Sequence, residues 1–218
     1  GVAALDAKGK RVRAGNSYFV CMARPQVRRY EAALMKEVAD RYDLDGLHFD
    51  YIRVGERCCY CAFCRKALKR LEGLTPDKIR TWGRVPDHFY RWRCDNVTKM
   101  VRNVSAYARK KGKEVSAAVF AGVPDNVMFQ GQDFRAWSRE GLLDFVMPMN
   151  YWNSPWLMEK YLINHLAQNA GGKAEMWQGL GRYCMETHRR FKEQLDILKA
   201  HKVPGVVIFE HRHLDARD

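Results

Sequence analysis

Five short apolar runs, separated by stretches of helical periodicity, limit this chain to a small set of folds. The runs are Gly46–Arg53, Val115–Ala121, Asp144–Tyr151, Glu175–Tyr183 and Gly205–Glu210. Between them, helical patterns are predicted at about Pro86–Lys111, Asp133–Glu140, Trp156–Ala170 and His188–His201, with a short basic helix ending at Leu71. A further helix from Pro25 is marked by Val27, Tyr30, Leu34, Val38 and Tyr42 at helical spacing. Regular alternation of strand and helix predicts an α/β fold with a parallel sheet and helices outside it. Two architectures satisfy that pattern, the open doubly wound sheet and the (β/α)8 barrel. No Gly-rich phosphate fingerprint follows any strand, which counts against the nucleotide-binding version. Five strands fall short of eight, so a barrel would have to be incomplete, lacking roughly three N-terminal βα units.

Composition is that of a folded globular protein, with 47% hydrophobic and 12% aromatic residues over 218 positions. One domain covering residues 1–218 is expected, with 1–24 a loop and 57–86 a Cys-rich basic insertion. No apolar run approaches the roughly 18 residues that a membrane span requires. The net charge is +13, and Arg57–Glu114 alone holds 16 Lys and Arg against 5 Asp and Glu, or +11. Such a block reads first as a solvated helical face. With no nucleic-acid motif beside it, nucleic acid is not expected as a partner.

The most informative stretch is Asp45-Gly46-Leu47-His48-Phe49-Asp50-Tyr51-Ile52-Arg53. Strand alternation puts Leu47, Phe49 and Tyr51 on one face and His48, Asp50 and Ile52 on the other. An imidazole and a carboxylate on one face are costly unless that face lines a site or satisfies them internally.

This stretch and several others resemble the family-10-like glycosyl hydrolases. The resemblance runs from the helix end Val38-Ala39-Asp40-Arg41-Tyr42-Asp43 through Asp45–Arg53, the Cys-x-Cys-x-x-Cys-Arg loop at Cys59–Arg65 and the Trp92-Arg93…Val97-Thr98 helix. It continues in Ser116–Phe120, Gly131-Gln132-Asp133…Trp137 and Gly141–Tyr151, so that it spans about Pro25 to Phe209. It implies a (β/α)8 barrel of which this chain holds strands four to eight, with the first three βα units absent. It also implies O-glycosyl hydrolysis of a poly- or oligosaccharide substrate. A secreted or periplasmic location would suit such an enzyme, and any export signal would lie upstream of Gly1.

In a barrel of this kind the C-terminal strand ends hold the site and the N-terminal ends hold stabilising residues. Asp45 and Asp144 precede their strands and read as structural. Asp50 lies late in its strand, Asp125 follows the next one and Glu210 ends the last; Glu56 and Glu186 sit further out on loops. Glycoside hydrolysis ordinarily uses two carboxyl groups, so Asp50 is the first catalytic candidate, with Glu210 and Asp125 competing for the second place. His211-Arg212-His213 offers Glu210 local partners instead. His48, two residues before Asp50, should lie about 7 Å away along the strand. Arg53 could neutralise Asp50 or bind a sugar. His48 and Arg53 could equally form a buried network with Asp50 that ties strand to strand. Asn150 and Gln178 could bind hydroxyls, with Arg182 in reserve. Tyr151, Trp152, Trp156 and Trp177 could stack on pyranose faces, although core packing is the commoner fate of aromatics.

Cys58, Cys59, Cys61 and Cys64 lie within seven residues, a spacing that can present three thiolates to one tetrahedral zinc. The fourth ligand could be Cys94, His88 or the remaining local cysteine. Disulfide and free thiol remain alternatives, and seven cysteines leave at least one unpaired. Cys21 and Cys184 read as ordinary thiols, and no catalytic cofactor is expected. Asn96-Val97-Thr98 and Asn103-Val104-Ser105 match the glycosylation pattern but fall on a predicted helix, where the match is coincidental. A carbohydrate-binding protein without turnover is the main alternative function, and a zinc-knuckle polyanion binder is the third.

Overall fold

The computed structural model describes residues 1–55, 59–72 and 87–214, and of residues 71, 72, 87–89 and 128 the backbone only. Most of the expected basic insertion, together with Glu56, Cys58 and the His88 side chain, lies outside the described residues. The chain divides into two compact units: Gly1–Leu44, Ile52–Lys111 and Pro124–Asp133 form one, and Asp45–Tyr51, Gly112–Val123 and Phe134–Asp218 the other.

The first unit begins with a small antiparallel hairpin where the sequence suggests only loop. Strands β1 (Arg13–Ala14) and β2 (Ser17–Tyr18) pair antiparallel, and bridges Ala3↔Val20 and Leu5↔Arg11 extend the arrangement. Gly15, at φ +58, makes the tight reversal between them. Asp6 holds the preceding turn, its Oδ1 accepting from the backbone N–H groups of Lys8 and Lys10. Strands this short, interrupted by basic residues, leave almost no period-2 signal.

Helix α1 (Pro25–Arg41) follows, with Pro25 in the first turn where its missing N–H costs nothing. It packs with the later helix α3 (Asp87–Lys110). Arg28 of α1 donates to Asn96 Oδ1 of α3 at 3.0 Å and to the Met22 carbonyl at 2.6 Å. Asn96 is buried, which agrees with reading its sequon as coincidence. Most of the stripe that marks α1 is not its buried face: Tyr30, Leu34, Val38 and Tyr42 are exposed, and of the stripe only Val27 is buried, alongside Ala32 and Ala39. Helix α2 (Ala62–Glu72) and a π-turn at Asn126–Gln130 complete the unit.

The second unit carries a parallel sheet in the order β3 (Gly46–Phe49), β4 (Glu114–Phe120), β5 (Phe145–Met149), β7 (Gln178–Gly181) and β8 (Val206–Phe209). The two-residue β6 (Glu175–Met176) also pairs with β5, so the single strand expected over Glu175–Tyr183 is broken at Trp177. This is the strand complement of an incomplete (β/α)8 barrel. In the same unit lie α4 (Phe134–Arg139), α5 (Pro155–Gln168) and α6 (His188–Ala200). The latter two start at Ser154 and Thr187, whose side-chain oxygens accept from the N–H groups of Leu157 and Arg190.

Registers are tightly specified. Leu47 pairs with Val115 and His48 with Ser116, while Val119 pairs with Pro148 and Gly181 with Phe209. Asp144, just before β5, accepts from the Val115 N–H at 2.7 Å, the loop-anchoring role its position suggests. Met158, Leu162, Leu180, Phe191 and Leu198 form a core that joins α5 and α6 to the sheet. Trp137 and Phe134 of α4 are fully buried.

Candidate active site

The C-terminal strand ends of the second unit collect the ionisable and aromatic side chains that a core would exclude. Leu47 and Phe49 are buried, whereas His48 and Asp50 are exposed, as strand alternation requires. The alternation then stops. Tyr51 takes a left-handed conformation, φ 55, so the strand does not continue; Tyr51 is exposed and Ile52 buried, the reverse of the expected faces.

Asp50 is therefore the first residue past β3, and its Oδ1 accepts from the Tyr51 N–H at 2.8 Å. His48 reaches sideways to β4, where its Nδ1 lies 2.9 Å from Ser116 Oγ. The in-register pairing of the two residues places this bond. Although the ring has an open edge, desolvation by the surrounding strands lowers its pKa, and the negative charge of Asp50 partly opposes that shift. A neutral imidazole can orient or exchange a proton, but it is not a permanent cation. Ser116, which no local sequence pattern marks, is its partner.

Tyr151, just past β5, lies in an aromatic group with Tyr183 and Phe209. Its ring stacks on Phe209 with centroids 5.8 Å apart and planes at 15°. Tyr183 meets both rings edge-on at 6.0 and 5.9 Å. The group rests on glycine backbone: a Cβ at Gly181 would come within 2.9 Å of Tyr151, and one at Gly179 within 3.3 Å. Burial pushes the Tyr151 phenol up to about 12, with further contributions from Tyr183, Asp50 and Cys184. It is a neutral phenol at neutral pH, not a phenolate. Tyr183 and Phe209 remain 50% and 47% exposed, so the group is not part of a closed core. Gly179 and Gly181, alternating beside Leu180, were the available sign that rings lie across this strand.

Other sequence candidates go elsewhere. Asn150 and Gln178 have no exposed surface. Asn150 Nδ2 donates to the Met158 carbonyl at 3.0 Å and to Gln178 Oε1 at 3.1 Å. Gln178 Oε1 is also 3.2 Å from His165 Nδ1, while His165 Nε2 lies 2.8 Å from the Ala121 carbonyl. These residues tie β5 and β7 to α5, with their polar ends turned into the packed interior. Trp152 stacks on Tyr161 at 5.2 Å and packs against the α5–α6 core. Trp177 lies toward the opposite end of the sheet: it stacks on Phe145, the first residue of β5, at 4.1 Å and donates to Glu175 at 2.8 Å. Trp156 is exposed on α5, beside Lys160.

Glu210 follows β8 and forms an ion pair with Arg212, with His213 Nε2 at 3.5 Å. The neighbouring-residue pairing expected for it is present. Asp125 and Arg53 belong to the first unit. Asp125 is exposed at the start of the π-turn, and the Arg53 guanidinium lies 5.9 Å above the Phe19 ring.

The first unit holds a second constellation. The sulfurs of Cys21, Cys59, Cys61 and Cys64 all lie within 4.8 Å of one another, and these four thiols could hold a metal ion. Cys21, which by sequence alone is an ordinary thiol, contributes the fourth sulfur of this group among the described residues, and Cys94 instead contacts the Val127 carbonyl at 3.4 Å. Hydrogen bonds from Cys21 and Cys64 drive the Cys59 thiol down, while contacts with Cys21 and then Cys59, together with burial, push Cys64 up.

The basic surplus is partly gathered on α1 and α3, where Lys36, Lys99, Arg102 and Lys110 border an open groove. No described helix is long and apolar enough to cross a membrane.

Comparison with known proteins bears on this geometry. The profile of the glycosyl hydrolase-like 10 family matches residues 6–173. No curated protein matches. Among solved structures, the catalytic domain of β-amylase from Paenibacillus polymyxa aligns over 100% of this chain and 70% of its own, with TM-score 0.63 and 12% identity. An inactive mutant of the GH20 exo β-N-acetylglucosaminidase from Vibrio harveyi aligns over 95% of this chain and 30% of its own, with TM-score 0.42 and 10% identity. The β-amylase similarity shows the fold, an incomplete (β/α)8 barrel, and the strand ends described above are where such barrels place their chemistry.

Proposed function

This chain belongs to the glycosyl hydrolase-like 10 family, and we propose that it hydrolyses O-glycosidic bonds of a poly- or oligosaccharide, with Asp50 as a catalytic carboxylate. The observation that carries this reading is the placement of an exposed carboxylate and an exposed aromatic group on the same strand ends. Asp50 follows β3, and Tyr151, Tyr183 and Phe209 follow or end β5, β7 and β8; the charge of Asp50 is felt at both His48 and Tyr151. Stacking rings would hold a pyranose while the carboxylate acts at the anomeric carbon or the leaving oxygen. His48, fixed by Ser116, would orient a hydroxyl or the Asp50 carboxylate.

Glu210 is the candidate for the second carboxylate in the same unit. Its contacts to Arg212 and His213 must open before it can transfer a proton or activate water. That engagement favours the second reading, carbohydrate binding without turnover. Reducing-sugar release from a panel of oligosaccharides, with Asp50→Asn and Glu210→Gln measured beside the parent chain, separates the two. Hydrolysis abolished by Asp50→Asn with binding retained supports the catalytic reading. Unchanged turnover in Asp50→Asn removes Asp50 from the mechanism, and binding without any release of sugar by the parent supports the second reading.

A further inference from the structure

We propose that Cys21, Cys59, Cys61 and Cys64 bind one zinc ion in a closed tetrahedral centre that fastens the N-terminal hairpin to the start of α2. Zn–S bonds of about 2.3 Å set sulfur–sulfur edges of about 3.8 Å in a tetrahedron. Cys61 Sγ is 3.8 Å from Cys21 Sγ, and Cys64 Sγ is 3.4 Å from it. All four sulfurs fall within 4.8 Å, so closing on a metal requires shifts of less than about 1 Å. None of the four is in a disulfide, and Cys21, Cys61 and Cys64 are buried.

Each sulfur is delivered by backbone that is itself fixed. Cys21 leaves the hairpin with its N–H on the Val2 carbonyl, and its own carbonyl accepts from Arg24. The Tyr60 N–H, between two of the ligands, bonds the Leu5 carbonyl and so already joins the cysteine loop to the hairpin. Cys61 immediately precedes α2 and Cys64 lies in its first turn, where the helix dipole favours thiolate. A cavity of about 30 Å³ has Cys21, Cys59 and Cys64 in its wall.

Four thiolates around a divalent ion leave a double negative charge, and the surroundings offer cations to meet it. Arg24 Nη2 lies 3.8 Å from Cys61 Sγ, and Arg28 is close enough to Cys21 to feel its charge. Four sulfur ligands fill a tetrahedral ion and leave no open position, so the role is structural and not Lewis-acid catalysis. The soft donor set excludes magnesium and calcium and leaves zinc, with iron as its geometric competitor.

The test reads metal, not sugar hydrolysis, so its outcome is independent of the proposed glycosidase activity. Elemental analysis of the intact chain purified under reducing conditions should find about one zinc per chain. Cys21→Ser should lose it, and Cys184→Ser, outside the cluster, should keep it. Should Cys21→Ser fail to fold, cobalt exchanged into the parent chain decides: intense tetrahedral and thiolate-to-cobalt absorption is expected. Absence of stoichiometric zinc together with absence of that absorption overturns the proposal. So does iron in the purified protein, or peptide mapping of the protein as isolated that joins any two of these cysteines in a disulfide.

Discussion

The Tyr151 and Phe209 rings lie 5.8 Å apart and within 15° of parallel, although Tyr151 follows β5 and Phe209 ends β8, separated by 57 residues of sequence. Only β7 lies between these strands in the sheet, and it lacks side chains at Gly179 and Gly181, so the two rings meet above it. Phe209→Ala is expected to weaken oligosaccharide binding roughly threefold to tenfold, the range of one aromatic contact. Isothermal titration against a bound oligosaccharide measures it. Trp177→Ala, at the other end of the sheet, should leave affinity unchanged while lowering stability.

Asp50 should be felt spectroscopically as well as kinetically. Its charge raises the pKa values of His48 and Tyr151 relative to what burial alone would set. Asp50→Asn should therefore lower both, moving His48 further below its ordinary value and bringing Tyr151 down from about 12. NMR titration of the His48 ring and ultraviolet titration of tyrosine read the two shifts; no movement in either would separate Asp50 from this group.

Asn150 and Gln178 should behave as structural residues. Asn150→Ala leaves Gln178 and the Met158 carbonyl short of a donor in a fully buried setting, at a cost of about 1–3 kcal/mol. Urea unfolding should report that loss, with affinity for oligosaccharide retained in the folded fraction. A stable variant with abolished binding would support sugar contact at Asn150 instead.

Acid should loosen the second unit through His165. Burial lowers its folded pKa beneath the ordinary 6.5, while its contacts with Ala121 and Gln178 partly resist that. The unfolded chain then takes the proton first as pH falls, so this group has no effect well above 6.5 and destabilises progressively below it. Among the described residues, the hydrogen-bond and ring partners of His165 are the Ala121 carbonyl, Gln178 and Tyr161 at 6.2 Å, none of them a carboxylate. The urea midpoint should decline below that pH less steeply in His165→Asn than in the parent, and an NMR pKa for His165 at or above 6.5 would contradict the argument.

Gly205 precedes β8 directly under the Trp177 indole, and a methyl group there would overlap the ring. Gly205→Ala is expected to cost about 1–3 kcal/mol by overpacking. Thermal or urea unfolding checks it, and Trp177 fluorescence should shift as the ring is displaced.

Strand and helix positions were legible because burial imposes local periods that any window of the chain displays. The approximate limits of β4, β5, α5 and α6 follow from that alone, and so does the exposure of His48 and Asp50 opposite Leu47 and Phe49. Periodicity identifies an apolar stripe without saying what covers it, which is why Tyr30, Leu34, Val38 and Tyr42 mark α1 correctly and yet stand exposed. The hairpin at Arg13–Tyr18 was invisible because two-residue strands carry no period.

What the sequence determined by itself was the alternation of strands and helices from Pro25 onward, the parallel sheet and the end of β3 at which a carboxylate emerges. Tertiary structure decided the company each side chain keeps. It brought Cys21 to Cys59, Cys61 and Cys64 across some forty residues, sent Trp177 and Tyr183 to opposite ends of one strand, and turned Asn150 inward. Local patterns encode which face of an element is buried, whereas ligand sets and stacked rings depend on strand register and chain return, which are properties of the assembled sheet and hairpin.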